Sequence, residues 1–556
     1  MRKLTLFAMA ALLLVCTQCK KNDATESAKT IHITFSPTDN EAKTGFNPDG
    51  SFSWSNDEYI FVGANNSTDC IGVLHSTNNG ASFDGDITVP TGCNMLHFFY
   101  LGNDKEGEYP TTLDFSTQND QQNLTNLHVA CISLAYDESV TSYSGSLKTL
   151  VSFAYLDLSA FQDANDKQEV VYLHGADIFS AATVNYSEGS ITGTKGYINL
   201  GKAIDGGGYY ALIPQTTPTN TVVKFDSNSK TGTMNFLRGI EAGKLYKAQE
   251  SALAPTMGEL RENAGGLFSV SDTKMVRLAK SNLQYTRTST TENWENGTWS
   301  FMTEPWDQAE INGTIGEEYN DQTAISLFGW GTSGADLGFY GLYYYPWATA
   351  EQEDEYGPLN PNLSLTFEDG FANGDWGINN NASLGGGEPS WRVLTSDEWL
   401  YLFGMTENNQ NQDIEGHKRY QKYGRARINL SPNQKGIIIV PDDFNDPKVN
   451  RNSAHREFVG GTQTFWGSNV NEGSNYIKDI EDWNKLANAG AIFLPLEGLR
   501  QGTTVSQCGT WAYYQSSTVK NATYSHQLFF KSDEIKPCNS SRRYTGMSVR
   551  LVMDLD

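Results

Sequence analysis

The chain has 556 residues and a formal net charge of -25, a length beyond one compact core that predicts two or three domains. Aromatics at 12 %, 52 glycines and only 19 % charged residues exclude a disordered chain and favour strands and loops over helices. The acidity, uninterrupted by any cluster of Lys and Arg, excludes nucleic acid as a partner and otherwise serves solubility.

Arg2 and Lys3 form a basic start, Leu4 to Val15 an apolar run too short to cross a bilayer comfortably, and "LLVCTQCKKND" places Cys16 and Cys19 after it. The pattern resembles a bacterial lipoprotein signal over residues 1–18, and "TQCKK" is similar to lipoprotein starts in the Bacteroidetes. That resemblance implies cleavage before Cys19, a diacylglycerol on its thiol and acylation, palmitate included, of the new amino terminus. Several acyl chains give stable anchoring in the outer membrane, where one would be marginal. Cleavage before Cys16 would leave Cys19 unexplained, and an ordinary cleaved signal peptide is the other reading. Residues 19–30 are polar and read as a tether. No later run is long and apolar enough to span a membrane; "GIIIV" at Gly436 to Val440 has strand length.

From Ile31 the pattern alternates with period two, in "IHITFS" and then "GSFSWSNDEYIFVG", with "NPDG" at Asn47 to Gly50 as the turn of a predicted hairpin. Further strands are predicted at Met95 to Gly102, Leu150 to Leu158, Glu169 to Ala176, Gly208 to Pro214 and Thr221 to Ser227, a spacing that favours β-sandwiches. The stretches "KTGFNPDGSFSWSNDEYIFVG", "LHFFYLGN", "YYALIPQ" and "AGKLYKAQ" resemble the fimbrillin-like lipoprotein families of Bacteroidetes. The resemblance implies two successive all-β sandwiches, over residues 31–140 and 141–250, on a surface-exposed lipoprotein. It also makes fimbrial subunits candidate partners. Residues 251–265, Ala-rich with Pro255 and closing glycines, read as a linker.

The segment 266–556 opens with alternating strands in "GLFSVSDTKMVRLAKSNLQY". It continues through "LFGWGTSG", "GDWG", "WRVLTSDEWLYLF", "YGRARINL", "GIIIVPDDFN", "NAGAIFLPLEGLR" and "GMSVRLVMDL". Within it, Thr395 is a predicted N-cap with Glu398 as its capping-box partner, and Trp399, Leu402 and Phe403 fall on one helical face. A second helix is predicted over Asp479 to Ala489, with Ile480, Trp483 and Ala487 sharing a face. The ordered series is similar to the Fibrobacter succinogenes major paralogous domain, and two short helices in β-rich sequence suit an α+β, C-type-lectin-like fold. Arg392, Thr395, Glu398 and Trp399 resemble a motif of the formylglycine-generating (sulfatase-modifying) family, a variant of that fold. The closely spaced copper-binding cysteine pair of those enzymes is missing, so the resemblance implies packing and capping roles and no catalysis.

Of the later cysteines, Cys508 and Cys538 are the predicted disulfide, since both lie in the last segment; the pairing of Cys70, Cys93 and Cys131 is open. No two of these five cysteines have CxxC spacing and no histidines have HxxxH spacing, so zinc is not indicated. "GWGTSG" meets a dinucleotide fingerprint by chance, because an aromatic and Gly-rich loop follows it in place of a helix. "PDDFND" sets Asp442, Asp443, Asn445 and Asp446 within one turn, hard oxygen donors for Ca²⁺ or else a solvated acidic turn; no other cofactor is expected. "EQEDEY" at Glu351 to Tyr356 reads as a charged loop. In "CGTWAYYQSS", Trp511, Tyr513, Tyr514 and Gln515 are the candidate ligand contacts, able to stack on sugar rings or to anchor a protein. The resulting expectation is a surface-displayed outer-membrane lipoprotein for adhesion or for recognition of a glycan or a host or bacterial surface protein. A fimbrial tip or anchor subunit is the structural alternative, and an enzyme related to the formylglycine-generating proteins is the last.

Overall fold

The structure, a computed structural model, describes residues 28–331 and 375–555 apart from short stretches, the longest being 39–44, 103–108, 119–125, 213–219 and 413–418. Cys19 with the predicted leader, the turn at 47–50 and the acidic run 351–356 lie outside the described residues. The described residues are rich in β-strand and contain three short α-helices: α1 (Trp376–Asn379), α2 (Ser396–Phe403) and α3 (Ile480–Asn488).

Nearest the amino terminus, an eight-stranded sheet is built around Lys29–Pro37, Ser82–Val89, Ser67–Thr77, Tyr59–Ala64 and Met95–Tyr100. The run "IHITFS" does not pair with its sequence neighbour: Ile31 lies opposite Ile87 in an antiparallel ladder, and Phe35 lies opposite Tyr143 in a parallel one. The predicted hairpin is confined to Gly45–Phe46 against Phe52–Ser53. Burial explains the longer-range choice, because Ile33 and Phe35 fill a core with Ile60, Val62, Leu74 and Phe98. "YIFVG" is buried on both faces, since Phe61 between Ile60 and Val62 packs on Phe99, Phe115, Phe153 and Tyr186 in a second core. That second core joins the amino-terminal sheet to the unit that follows.

In that unit, Ser152–Leu156 and Gly208–Leu212 pair in one sheet and Val170–His174, Thr221–Asp226 and Thr231–Phe236 in another, around Leu156, Leu173, Leu212 and Phe225. The stretch 251–265, read as a linker, is folded onto it. Leu253 donates its backbone N–H to Tyr155 and accepts from Asp157, each at 2.8 Å, and Thr256–Gly258 adds an edge strand beside Thr231–Phe236. Its composition is that of a linker, yet the open sheet edge supplies partners for its backbone.

The carboxy-terminal part begins and ends in one sheet, ordered Ala264–Ser271, Lys274–Ala279, Leu551–Asp554, Trp391–Val393. Helix α2 is built as its sequence predicts. Thr395 accepts from the Glu398 backbone N–H and Glu398 returns to the Thr395 backbone N–H, a complete capping box, and Gly404 ends the helix at φ 58°. Trp399, Leu402 and Phe403 are buried. Arg392 joins both Glu398 and Asp554, tying the helix to the last strand. Helix α3 is capped by Asp479 but rotated from its predicted face: Trp483 and Leu486 are buried, whereas Ile480 in the first turn is exposed.

The two parts meet through a buried ion pair. Arg277 Nη2 lies 2.6 Å from Asp226 Oδ1, and His174 Nε2 lies 2.7 Å from Asp226 Oδ2. The Leu267 backbone N–H donates to Asn228, and Tyr197 Oη to the Leu555 carbonyl. Burial raises the Asp226 carboxyl, but the hydrogen bond from His174 and the charge of Arg277 outweigh it and leave it below the usual carboxylate range. The pair therefore holds above the ordinary aspartate pKa and fails as pH falls through the depressed one. Arg277→Ala, which takes away the permanent charge beside buried Asp226 and leaves it His174 alone, should cost about 3 kcal/mol at the joint. Limited proteolysis at neutral pH should then cut within 250–265 and should spare that stretch in the parent chain.

Candidate functional site

The strand Trp511–Val519 does not present the predicted contact surface. Tyr514 and Gln515 are fully buried: Tyr514 Oη donates to the Pro495 carbonyl at 3.0 Å, and Gln515 donates through its side-chain amide to the Phe328 carbonyl. The indole N–H groups of Trp399 and Trp330 donate to the carbonyls of Gln515 and Ser516. Neither Tyr514 nor Gln515 can touch a ligand, because both faces of this strand are packed. Tyr513 is also buried, in a small cluster with Leu499, Phe529 and Met547. Trp511 is half-buried against that cluster, with Lys531 Nζ 5.8 Å from its ring centre.

The acidic turn does not form a calcium cage. Asp442 is held by both Nη atoms of Arg419, at 2.8 and 2.9 Å, and accepts from Ser269 Oγ at 2.5 Å. Asp443 instead accepts from the Tyr172 hydroxyl, and burial raises its pKa. Asp446 accepts from the Phe458 backbone N–H. Each carboxylate is directed to a different protein donor, and among the described residues no group of three His, Cys, Asp or Glu side chains could hold a metal ion. Adjacency in sequence did not bring convergence in space.

Cys508 and Cys538 are both free thiols. Cys508 precedes the strand Trp511–Val519 and its thiol donates to the Glu497 carbonyl at 3.1 Å. Cys538 lies two strands away in the same three-stranded sheet, with its sulfur 3.2 Å from His526 Nδ1. The two thiols pack against different cores, Cys508 on the one that holds Trp330 and Trp391 and Cys538 on the one that holds Trp399 and Tyr514. Arg392, Thr395, Glu398 and Trp399 are committed to capping, ion pairing and packing, as described for α2.

A different surface gathers ligand-type side chains. A cleft of about 590 Å³ lies where three turns meet: Met405 to Asn411 after α2, Thr462 to Phe465, and Ser532 to Lys536 between two strands of the carboxy-terminal hairpin. The strand Tyr423–Ile428 sends Arg425 into it, 3 % exposed. Arg425 holds two of the turns, with Nη1 donating to the carbonyls of Thr462 at 2.6 Å and Thr464 at 2.9 Å, and Nε to that of Lys531 at 3.2 Å. A Cβ at Gly424 would overlap the Val459 carbonyl, so glycine there lets the chain at 458–464 lie against the strand. Buried Asn475 staples the same contact, donating to the carbonyls of Arg425 and Val459 and accepting from the Val459 N–H.

Phe465 stands at the edge of the cleft, 42 % exposed, with the amides of Gln410, Asn411 and Gln463 among the other lining groups. An aromatic face beside amides and hydroxyls, within the volume range of ordinary small-ligand sites, is suited to non-covalent recognition. Burial lowers the pKa of the Arg425 guanidinium, opposed by Tyr423 and Asp533, but an arginine remains charged in water. These residues were missed because "YGRARINL" reads only as a strand and the three turns are far apart in sequence. The one local sign was an arginine flanked by Gly424 and Ala426 inside a strand, where a charged side chain needs a reason to point inward.

No family model and no curated protein matches the chain. Among solved structures it is similar to a candidate cell adhesion protein from Bacteroides uniformis, with 13 % identity over 43 % of this chain and 99 % of that one at a TM-score of 0.25. A fimbrial assembly protein from Parabacteroides distasonis shares 9 % identity over 45 % of this chain and 96 % of its own, at 0.24. A fimbrial protein from Bacteroides ovatus aligns over 94 % of this chain and 99 % of its own with 12 % identity, at 0.21. Scores this low carry no inference about activity.

Burial pushes the Cys508 thiol up to about 11 and raises that of Cys538. Alkylation without reductant should therefore be slow on both thiols in the folded chain and complete on both once it is unfolded, as read by peptide mass spectrometry. A disulfide would instead protect both in the unfolded chain.

Proposed function

We propose that the protein is a non-catalytic recognition protein, displayed at the cell surface as an outer-membrane lipoprotein anchored through Cys19, and that the Arg425 cleft is its ligand site. The observation that carries this reading is the cleft itself: three turns meeting over a strand, two of them held by a buried arginine, with Phe465 and several amides left facing solvent. Loops fixed on a rigid sheet are where binding residues are usefully placed.

The rest of the molecule suits such a role. Two β units precede the carboxy-terminal part, and the Asp226–Arg277 joint fixes that part against the second of them. They would carry the cleft away from a lipid anchor at a set angle. The titratable lining groups supply no nucleophile beside a base: Asp533 and Glu534 pair with Lys531, and Glu534 also with Lys536. Adhesion or ligand capture follows as the role.

Presented with an immobilised panel of glycans and surface proteins, the full chain should give at least one saturable hit. Phe465→Ala or Gln463→Ala should weaken that hit roughly ten-fold, the scale of one buried aromatic or amide contact. Trp511→Ala should leave it unchanged, and EDTA should have no effect because the Asp442 turn is committed to Arg419 and Ser269. Loss of binding in Trp511→Ala with retention in Phe465→Ala would move the site to the other surface.

A further inference from the structure

The charge balance of the cleft narrows the chemistry of its ligand. Asp533 and Glu534 lie within 3.3 and 3.5 Å of Lys531 Nζ, and Glu534 also pairs with Lys536. Arg425 is different. The protein acceptors it meets are the neutral carbonyls of Lys531, Thr462 and Thr464, and among the described residues no carboxylate lies within 4 Å of it. Its Nε and Nη1 donors meet these carbonyls, its Nη2 meets none of them, and the guanidinium carbon lies 6.0 Å from the Trp466 ring centre. Two cations, Arg425 and Lys536, thus stand against two carboxylates in the lining, and of the two cations only the buried Arg425 touches no carboxylate.

A buried charge opposed by a carboxylate only at a distance, as Arg425 is by Asp533, is costly, and an arginine cannot escape that cost by losing its proton. The Nη2 edge matches what a planar oxyanion accepts. We propose that the cleft takes a saccharide bearing a carboxylate, its acidic group paired with the Nη2 edge of Arg425 and its ring set against Phe465. This rests on the cleft being a recognition site. The remaining lining favours a sugar over a peptide terminus: Gln410, Asn411 and Gln463 each offer a donor and an acceptor, Thr462 and Ser532 add hydroxyls, and the exposed ring of Phe465 offers a flat apolar face. Sugars present that combination of dense hydroxyls and one C–H face.

Calorimetric titration of the full chain with four probes tests this. They are a glucuronate-terminated oligosaccharide, the same oligosaccharide with its carboxyl reduced to the alcohol, its sulfate-terminated counterpart, and a short peptide with a free carboxy terminus. The glucuronate probe should bind roughly ten- to a hundred-fold tighter than the reduced one, the worth of a charge-assisted hydrogen bond. Arg425→Gln should erase that difference, whereas Phe465→Ala should weaken both saccharides and keep their ratio. Because Arg425 also holds three carbonyls, the comparison of acidic and reduced probes on the unmodified chain decides the matter even where the variant does not fold. Equal affinity for the two would overturn the inference and leave recognition standing. Tighter binding of the sulfate or the peptide would overturn the ligand class. Silence from all four and from the wider panel would overturn recognition itself.

Discussion

The carboxy-terminal fold depends on one buried side chain, Arg550. It has no exposed surface, and its Nε, Nη1 and Nη2 donate to Asn282, to the Ala279 carbonyl and to the Phe493 carbonyl, at 2.7, 2.9 and 2.9 Å. Asn282 in turn donates to Glu497 and to the Tyr514 hydroxyl. One residue of the last segment thereby fastens the first strands, the strand Ile492–Pro495 and the strand Trp511–Val519. The need is general to this architecture. Few helices and many irregular connections leave buried carbonyls that no ladder satisfies, and each must find a donor. A guanidinium brings five donors in a fixed plane, so it can serve several stranded carbonyls together.

The same device recurs with different outcomes. Arg287 donates to the carbonyls of Gln322, Glu292, Tyr319 and Asn320, closing a loop that has no ladder of its own. At the joint, Arg277 reaches Asp226 and the carbonyls of Gly265, Ser227 and Asn228, so what composition suggests is a flexible hinge becomes a fixed contact. Arg425 fastens two turns in this way but keeps Nη2 off their carbonyls, beside a cleft. A structural fastener with a spare edge is already oriented for a ligand, and its rotamer is held before anything binds.

What could be read from the chain follows from how local each determinant is. Helix α2 was legible because its cap, its capping-box partner and its apolar face all lie within Thr395 to Phe403, and the β-rich class was legible from composition. Pairing was less so: "IHITFS" is plainly a strand, but its choice of Ser82–Val89 over a nearer run depends on a core assembled from distant residues. The contact residues at 511–515 failed for a related reason. A strand rich in Trp and Tyr looks the same whether one face or both are covered, and here Tyr514 reaches Pro495 on one face while its neighbour Gln515 reaches Phe328 on the other.

The cleft lay beyond any local reading, and the reason is physical. Its lining comes from turns whose residues have no periodicity to betray them, and they converge only because a strand residue between them needs their carbonyls. The inward turn of Arg425 is itself a consequence of Gly424, which admits the chain at Val459, and of Asn475, which holds it there. Removing the arginine would therefore disperse the site as well as discharge it, so its structural and recognition roles separate only through the ligand. The carbonyls engage Nε and Nη1 whatever enters the cleft, and only an acidic group engages Nη2.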